Sequence, residues 1–240
     1  MRTLAVIFSL VTLPTSFAQA EPRPNVVFIL ADDLGIGDTK CYGGDRCQIN
    51  TPNIDALAAG GLRFTDAHVN ASVCGPTRAA IMTGRYPWRF GKALPGGPWG
   101  FVGPRFTPDT FTIGKMFQQA GYRTGYVGKW HLGTQMTTKD GNVQNATNVD
   151  YKKPLTIGPP QYGFDSSFIL PGSLDMYPYA FVRDNVWQGE VTAQKGWSAF
   201  NRIGPAEKDF EDHKVLETLY GEAESFVAAQ GEQPFLCSWR

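Results

Sequence analysis

The chain has 240 residues, and its 22 basic and 22 acidic side chains give a formal net charge of zero. This length is enough for one α/β domain or most of one. A neutral chain with interspersed charges lacks the basic surface that nucleic acids require, so we expect no nucleic-acid partner.

The N-terminal segment, residues 1–20, has the pattern of a secretory signal peptide. Arg2 gives a short positive region, and residues 4–13 are apolar but too few to span a membrane. A small-residue cleavage pattern ends at Ala20. We therefore expect export to the periplasm or the extracellular medium and a mature chain of residues 21–240, with no later transmembrane segment.

A strand followed by two acidic residues opens the mature chain. Residues 25–30 form an apolar, β-branched run, as in a central parallel strand that is buried on both faces. Asp32 and Asp33 follow at its carboxyl end, where open α/β sheets bind ligands. Adjacent carboxylates repel each other unless a cation intervenes, so the pair indicates half of a Ca²⁺ or Mg²⁺ site or, alternatively, a solvated turn.

The next segment predicts a helix and a strand. Thr51 is a good N-cap, Pro52 suits the first helical position, and Gly60 or Gly61 ends the helix. Residues 62–67 then return as a strand.

The segment that follows contains a cysteine at a predicted helix start. Pro76 suits the first turn of a helix that ends at Gly84, which places Cys74 at or just before the N-terminus. Free N–H groups and the helix dipole favour an anion there. Arg78 lies four residues later, so on a helix it shares one face with Cys74. A fixed cation there would stabilise an anionic group that the residue at position 74 attacks. The alternative is a buried helix with a structural cysteine.

A second polar pair follows a helix–strand unit. Residues 110–120 have helical spacing, and residues 122–131 predict a strand that carries Lys129 and His131. If the strand continues, both side chains point the same way and could bind an oxyanion and protonate a leaving group. An isolated Lys-x-His sequence is more often part of the protein surface without a role in catalysis.

The remaining segments give weaker signals. Residues 86–108 read as a long loop, and residues 133–160 read as a variable surface insertion. Residues 173–179 are a candidate border of a substrate pocket. An amphipathic helix over residues 210–229 precedes a strand that begins at residue 234.

Two of these motifs together resemble the type I sulfatases, the arylsulfatase family of the alkaline-phosphatase-like superfamily. Residues 74–85, CGPTRAAIMTGR, are similar to the family signature, and residues 128–133, GKWHLG, to its second motif. Residues 163–165 resemble the Gly-Phe-Asp that follows in the family. The resemblance covers residues 25–240. It implies a doubly wound, mostly parallel α/β sheet with helices on both faces, incomplete at the C-terminus.

The resemblance also implies a chemical modification. Cys74 would be oxidised to Cα-formylglycine by a formylglycine-generating or other sulfatase-maturing enzyme, which reads Cys74, Pro76 and Arg78. The hydrated aldehyde would attack sulfur, displace the alcohol and then expel sulfate. A disulfide between Cys74 and Cys237 is the alternative to this modification, and Cys41 and Cys47 could close a small loop.

Other roles follow from the same resemblance. Asp32 and Asp33 would ligate Ca²⁺, or Mg²⁺ in its place, together with the modified residue 74. Arg78 would contact the formylglycine, while Lys129 and His131 would bind the sulfate group of a sulfated small molecule or glycan.

Several elements of the family lie beyond residue 240. These are a histidine-bearing substrate loop, an Asp-Asn pair that completes the metal site, and a sulfate-binding lysine. We therefore expect weak or no activity from this chain by itself. Two alternatives stay open: a phosphonate or phosphodiester hydrolase of the same superfamily, since sulfate and phosphate are both tetrahedral anions, and an inactive truncated remnant.

Overall fold

The computed structural model describes residues 23–90 and 100–240. The predicted signal peptide and part of the predicted loop over residues 86–108 lie outside the described residues. The α-helices are α1 Lys40–Gly43, α2 Pro52–Gly60, α3 Cys74–Thr83, α4 Ile113–Gln119 and α5 Val215–Ala228. The strands are β1 Val26–Ile29, β2 Arg123–Lys129, β3 Ser166–Leu170, β4 Val182–Arg183, β5 Val186–Trp187, β6 Val191–Lys195, β7 Gly204–Glu207 and β8 Phe235–Trp239.

A six-stranded sheet forms the centre of the fold. Its strand order is β1-β8-β2-β3-β4-β5. The four strands from β1 to β3 are parallel, whereas the two-residue strands β4 and β5 add antiparallel pairs at one edge. Strands β6 and β7 pair separately as an antiparallel ribbon. The predicted mostly parallel α/β sheet is confirmed. The predicted central position of the first strand, buried on both faces, is wrong, because β1 lies at one edge of the sheet and Val27 and Ile29 are 53% and 58% exposed.

Different helices cover the two faces of this sheet. Tyr126 belongs to a buried cluster into which the α4 residues Ile113 and Phe117 pack. Its neighbour on β2, Val127, belongs to a second cluster that contains Val215 and Leu219 of α5. Because successive side chains on a strand point to opposite faces, α4 and α5 lie on opposite sides, as the doubly wound prediction requires.

The predicted helices are present with shifted boundaries. Helix α2 begins at Pro52, but its N-cap residue Thr51 bonds Asp55 through its hydroxyl group and makes no capping bond to the backbone. Helix α4 begins only after Thr112, whose hydroxyl accepts a hydrogen bond from the Lys115 N–H. Helix α5 begins at Val215 instead of residue 210, whereas the strand expected from residue 234 forms as β8.

The strand predicted over residues 62–67 is wrong. The segment between α2 and α3 consists of bends and irregular backbone, and Leu62 and Phe64 are 89% and 69% exposed. It is attached to α1 by hydrogen bonds from Tyr42 Oη to the Phe64 carbonyl and from the Arg63 guanidinium to the Cys41 carbonyl. An apolar run becomes a strand only where a neighbouring strand pairs with it, and the sequence pattern does not show that partner.

The interpretation of residues 133–160 as a surface insertion is also wrong. Met136, Val149 and Leu155 are at most 3% exposed and belong to the cluster on the α4 side of the sheet. The buried Gln144 amide donates to the carbonyls of Phe101 and Thr134, and its oxygen accepts from the Met136 N–H. A polar residue whose bonds are all made internally does not mark a surface.

This network gives the first prediction. Replacing Gln144 with leucine would leave two carbonyl groups and one N–H group buried without partners. We expect the free energy of unfolding in urea to fall by about 2–4 kcal/mol. The control is Gln48→Leu, because Gln48 is exposed and bonds only the nearby Arg46 carbonyl. An equal loss in both variants would contradict a structural role for the Gln144 amide.

Candidate active site

The carboxyl ends of the parallel strands meet the N-terminus of α3. Asp32 and Asp33 follow β1, Lys129 ends β2, and Cys74 is the first residue of α3. These four residues line a common cavity of about 450 Å³. The structure thus brings together residues from three separate parts of the sequence at the edge where open α/β sheets bind ligands.

Helix α3 has the start and end that its sequence predicts. Cys74 stands at the first helical position and is half-buried, with Val73 as the N-cap. The helix ends at Gly84, which has a left-handed φ of 65° and whose N–H bonds the Ala80 carbonyl. Backbone N–H groups at the start of this helix are available to an anion beside Cys74.

Asp32 is the centre of an ion-pair network. Its Oδ2 lies 2.6 Å from Lys129 Nζ and 3.5 Å from Arg78 Nη2. Burial raises the pKa of Asp32, but the hydrogen bond and charge of Lys129 and the charge of Arg78 outweigh it and hold the pKa below its usual value. The carboxylate is therefore ionised at neutral pH.

Arg78 connects the start of α3 to the end of β2. Its side chain is 1% exposed, and its Nη1 donates to the Lys129 carbonyl oxygen at 2.9 Å. Its Nε is buried without a hydrogen-bond partner among the described residues. Arg78 is thus a fixed cation with remaining donor capacity, on the same helix as Cys74.

The predicted strand does not extend to His131, the second residue of the Lys129–His131 pair. Strand β2 ends at Lys129, and His131 has a left-handed φ of 54°. Gly128, near the end of β2, has a φ of 115°, and a Cβ at this position would lie 1.7 Å from the Arg240 carbonyl oxygen, so only glycine fits there. The two side chains therefore do not reach the site from one continuing strand, since the backbone turns between them.

His131 still lies within the electrostatic field of the site. Its side chain is 8% exposed, and its Nδ1 is buried without a hydrogen-bond partner in the described part of the chain. Burial, together with the charges of Lys129, Arg105 and Arg78, lowers the pKa of His131 to about 4. The imidazole is therefore neutral at pH 7, able to donate one hydrogen bond and accept another.

The substrate-side segment suggested by the sequence lies at the cavity wall. Ser173 and Asp175 line the cavity, and the Ser173 hydroxyl donates to the Asp175 carboxylate. Sequence reasoning missed Phe200 and Asn201, which line the same wall, and Arg105, which lies against Gly75. None of these three is in a recognisable motif, so only the tertiary structure identifies them.

The cysteines form no disulfide. All four are free, so the Cys41–Cys47 loop closure and the Cys74–Cys237 alternative are both wrong for this structure. Cys237 is buried in β8, and burial raises its pKa to about 11, which keeps it a thiol. Cys74 instead opens onto the cavity that Asp32 and Asp33 share.

Asp32 and Asp33 are the two residues from which the sequence predicts half of a Ca²⁺ or Mg²⁺ site. Among the described residues, no group of three or more His, Cys, Asp or Glu side chains is arranged to hold a metal ion. Asp32 and Asp33 line a cavity of about 260 Å³ with Cys74, and carboxylate oxygens suit Ca²⁺ or Mg²⁺. These donors fit such an ion, but Ca²⁺ prefers about six to eight oxygens, so they supply only a fraction of the set.

Comparisons with known proteins identify the family. The sulfatase family model matches residues 24–239, so the chain belongs to the sulfatase family. The fold agrees, since a solved structure described with the metabolism of glycosaminoglycans by Bacteroides thetaiotaomicron superposes with a TM-score of 0.76 at 28% identity. That match covers 91% of this chain and 50% of the other. The sheet is thus the alkaline-phosphatase-like fold of the family.

Sequence relatives agree with this assignment. The N-acetylgalactosamine-6-O-sulfatase of Bacteroides thetaiotaomicron is 38% identical over 170 residues, which are 69% of this chain and 30% of the relative. Human arylsulfatase A is 48% identical over 124 residues, which are 52% of this chain and 24% of the relative. The chain therefore spans between about a quarter and a half of the length of the proteins it matches. Of the helices in the described ranges, none has the length and apolar character needed to cross a bilayer.

The neutral state of His131 gives the second prediction. Its folded pKa of about 4 lies below the unfolded value of 6.5. Between these values the unfolded chain binds a proton that the folded chain does not, so the free energy of unfolding falls as pH drops from 6.5 towards 4. For a pKa shift of this size, the free energy of unfolding falls by about 3 kcal/mol over this pH range. We expect this fall to be absent in His131→Gln.

The measurement is urea unfolding at a series of pH values. The control is His213→Gln, because the His213 side chain is 71% exposed. Wild type and the control should share the steeper loss of stability, while His131→Gln should show a shallower one. Parallel curves for all three proteins would contradict a buried neutral His131.

Proposed function

We propose that this chain is the N-terminal part of the catalytic domain of an exported enzyme that hydrolyses sulfate esters through Cα-formylglycine formed from Cys74. The observation that carries the proposal is that Cys74 lines two cavities that share Asp32 and Asp33, one of them lined also by Arg78 and the other by Lys129. The charges of both cations also act on the buried His131. Fixed cations, a neutral imidazole and a helix N-terminus together suit a tetrahedral oxyanion.

Each side chain has a role that its surroundings support. The N–H groups at the start of α3 hold oxygens of the sulfate group beside residue 74. Lys129 and Arg78 balance its negative charge, and Arg78 is held in place by its bond to the Lys129 carbonyl. His131, neutral at pH 7, donates a hydrogen bond to the anion without carrying charge. The aldehyde, when present and hydrated, would supply one hydroxyl to displace the alcohol from sulfur and a second hydroxyl whose loss of a proton reforms the aldehyde and releases sulfate.

Metal binding is a further part of the proposal. Asp32 and Asp33 would hold a Ca²⁺ ion, or Mg²⁺ in its place, next to residue 74, and such an ion would polarise the sulfate group. Asp32 is already ionised, as a cation ligand requires.

The substrate would be a sulfated small molecule or a glycan. The relative named as an N-acetylgalactosamine-6-O-sulfatase supports a sulfated sugar. Polar side chains on the cavity wall, Ser173, Asp175 and Asn201, suit the hydroxyl groups of such a substrate. The signal-like N-terminus supports export to the periplasm or the extracellular medium, and a sulfatase-maturing enzyme is the expected partner.

Modification of Cys74 is the prediction that tests this function. The chain is produced with a sulfatase-maturing enzyme, and the peptide Phe64–Arg78 is analysed by mass spectrometry. We expect the mass of an aldehyde at position 74 and reaction of that peptide with a carbonyl-specific hydrazide. The matched control is Cys41, which is also partly exposed and lacks the surrounding motif.

Two results would count against the proposal. An unmodified thiol at position 74, or a disulfide between Cys74 and Cys237, would contradict the mechanism and favour an inactive remnant. Faster cleavage of an aryl phosphodiester than of an aryl sulfate would favour a phosphodiester hydrolase of the same fold.

Calcium binding gives a separate prediction. Addition of Ca²⁺ should raise the thermal midpoint of the wild-type chain, because an ion that binds only the folded state stabilises it. Asp33→Asn should remove most of this increase by loss of one carboxylate ligand. Asp45→Asn is the control, since the Asp45 side chain is fully exposed on the surface. Equal Ca²⁺ responses in the two variants would exclude Asp33 as a ligand.

A further inference from the structure

A basic side chain outside both sulfatase motifs lies against the start of α3. A Cβ added at Gly75, the residue after Cys74, would lie 3.1 Å from Arg105 Nη2 and 3.4 Å from its Cζ. The guanidinium therefore packs against the backbone next to the nucleophile position. Glycine at position 75 leaves the room that this contact needs.

The buried core holds the Arg105 backbone in this place. Its N–H donates to the Leu132 carbonyl at 3.0 Å, directly after His131. The next residue, Phe106, is 8% exposed, and its ring meets Tyr162 edge-on at 4.9 Å. The Tyr162 hydroxyl in turn donates to the Phe106 carbonyl at 2.8 Å. The position of Arg105 is thus set by packed residues on both sides.

The charge of Arg105 acts on the same groups as the other cations. Burial lowers the pKa of Arg105, and its proximity to Cys74 acts in the opposite direction. Its charge also contributes to the low pKa of His131. Arg78 and Lys129 both contact the Asp32 carboxylate, which offsets part of their charge.

A second observation indicates a ligand at this point. His131 is more than nine-tenths buried, and its Nδ1 makes no hydrogen bond within the described residues. A buried ring nitrogen without a partner is costly unless a ligand or an ordered water completes it. The Arg105 backbone bonds the residue that follows His131, and the Arg105 side chain interacts electrostatically with both this imidazole and Cys74.

On the basis of the proposed function, we propose that Arg105 is an additional anion-binding residue of this site, which binds an oxygen of the sulfate group beside Gly75 and His131. A planar guanidinium presents parallel N–H donors that match two oxygens of a tetrahedral anion, which an ammonium group does not. Arg105 would act with Lys129 and Arg78 from a segment that belongs to neither sulfatase motif.

The test measures binding of inorganic sulfate to the chain through the shift of its thermal unfolding midpoint. Sodium chloride at matched ionic strength is the reference. Wild type should be stabilised by sulfate beyond chloride. Arg105→Gln should weaken sulfate binding about tenfold or more, as expected for loss of one charged hydrogen bond. Arg105→Lys should lie between the two because it keeps the charge. The control Arg46→Gln, at an exposed position, should bind sulfate as wild type does.

Gly75→Ala gives an independent geometric test. Its Cβ would move the guanidinium by a few tenths of an ångström while alanine suits a helix better than glycine. We expect weaker sulfate binding without loss of folding, so this variant decides the question if Arg105→Gln does not fold.

The outcomes separate the two proposals. One outcome would overturn the role of Arg105 and leave the sulfatase site intact. In it, Arg105→Gln and Gly75→Ala bind sulfate as tightly as wild type, whereas Lys129→Gln loses binding. Absence of any response to sulfate above chloride in the wild type would overturn both proposals.

Discussion

A single carboxylate joins three elements of the fold. Asp32 follows β1, and it contacts Lys129 at the end of β2 and Arg78 in α3. Arg78 also donates to the Lys129 carbonyl, so the start of α3 cannot move relative to the end of β2 without breaking a buried charged hydrogen bond. The position of Cys74, one helical turn before Arg78, follows from this contact.

The central strand β8 makes the contact geometrically possible. Asp32 and Lys129 are 97 residues apart in sequence, and their strands are not neighbours. Leu236 of β8 pairs with Val26 of β1 on one side and with Thr124 of β2 on the other. Parallel pairing in this register aligns the carboxyl ends of all three strands, which places the ion-pair partners at one edge of the sheet.

The positive charges of the site favour a bound anion and disfavour protonation of His131. Arg78, Arg105 and Lys129 all act on His131, and together with burial they keep its imidazole neutral. Asp32 offsets part of the charge of Arg78 and Lys129, and Asp175 acts on His131 in the opposite direction to the cations. Fixed donors and cations of this kind suit a tetrahedral oxyanion, as the proposed function requires, because preorganised groups need no rearrangement when charge arrives.

The sequence by itself determined the local elements of the site. The strand before Asp32, the helix start at Cys74 and the segment that carries Lys129 all follow from apolar periodicity, proline and glycine, which act over a few residues. Only the tertiary structure decided which segments pair or become buried. Residues 62–67 lack a neighbouring strand, residues 133–160 enter the core through Gln144, and Arg105 reaches Gly75 from a loop without a motif. Pairing and burial depend on contacts between residues far apart in sequence, and a local pattern contains no information about those partners.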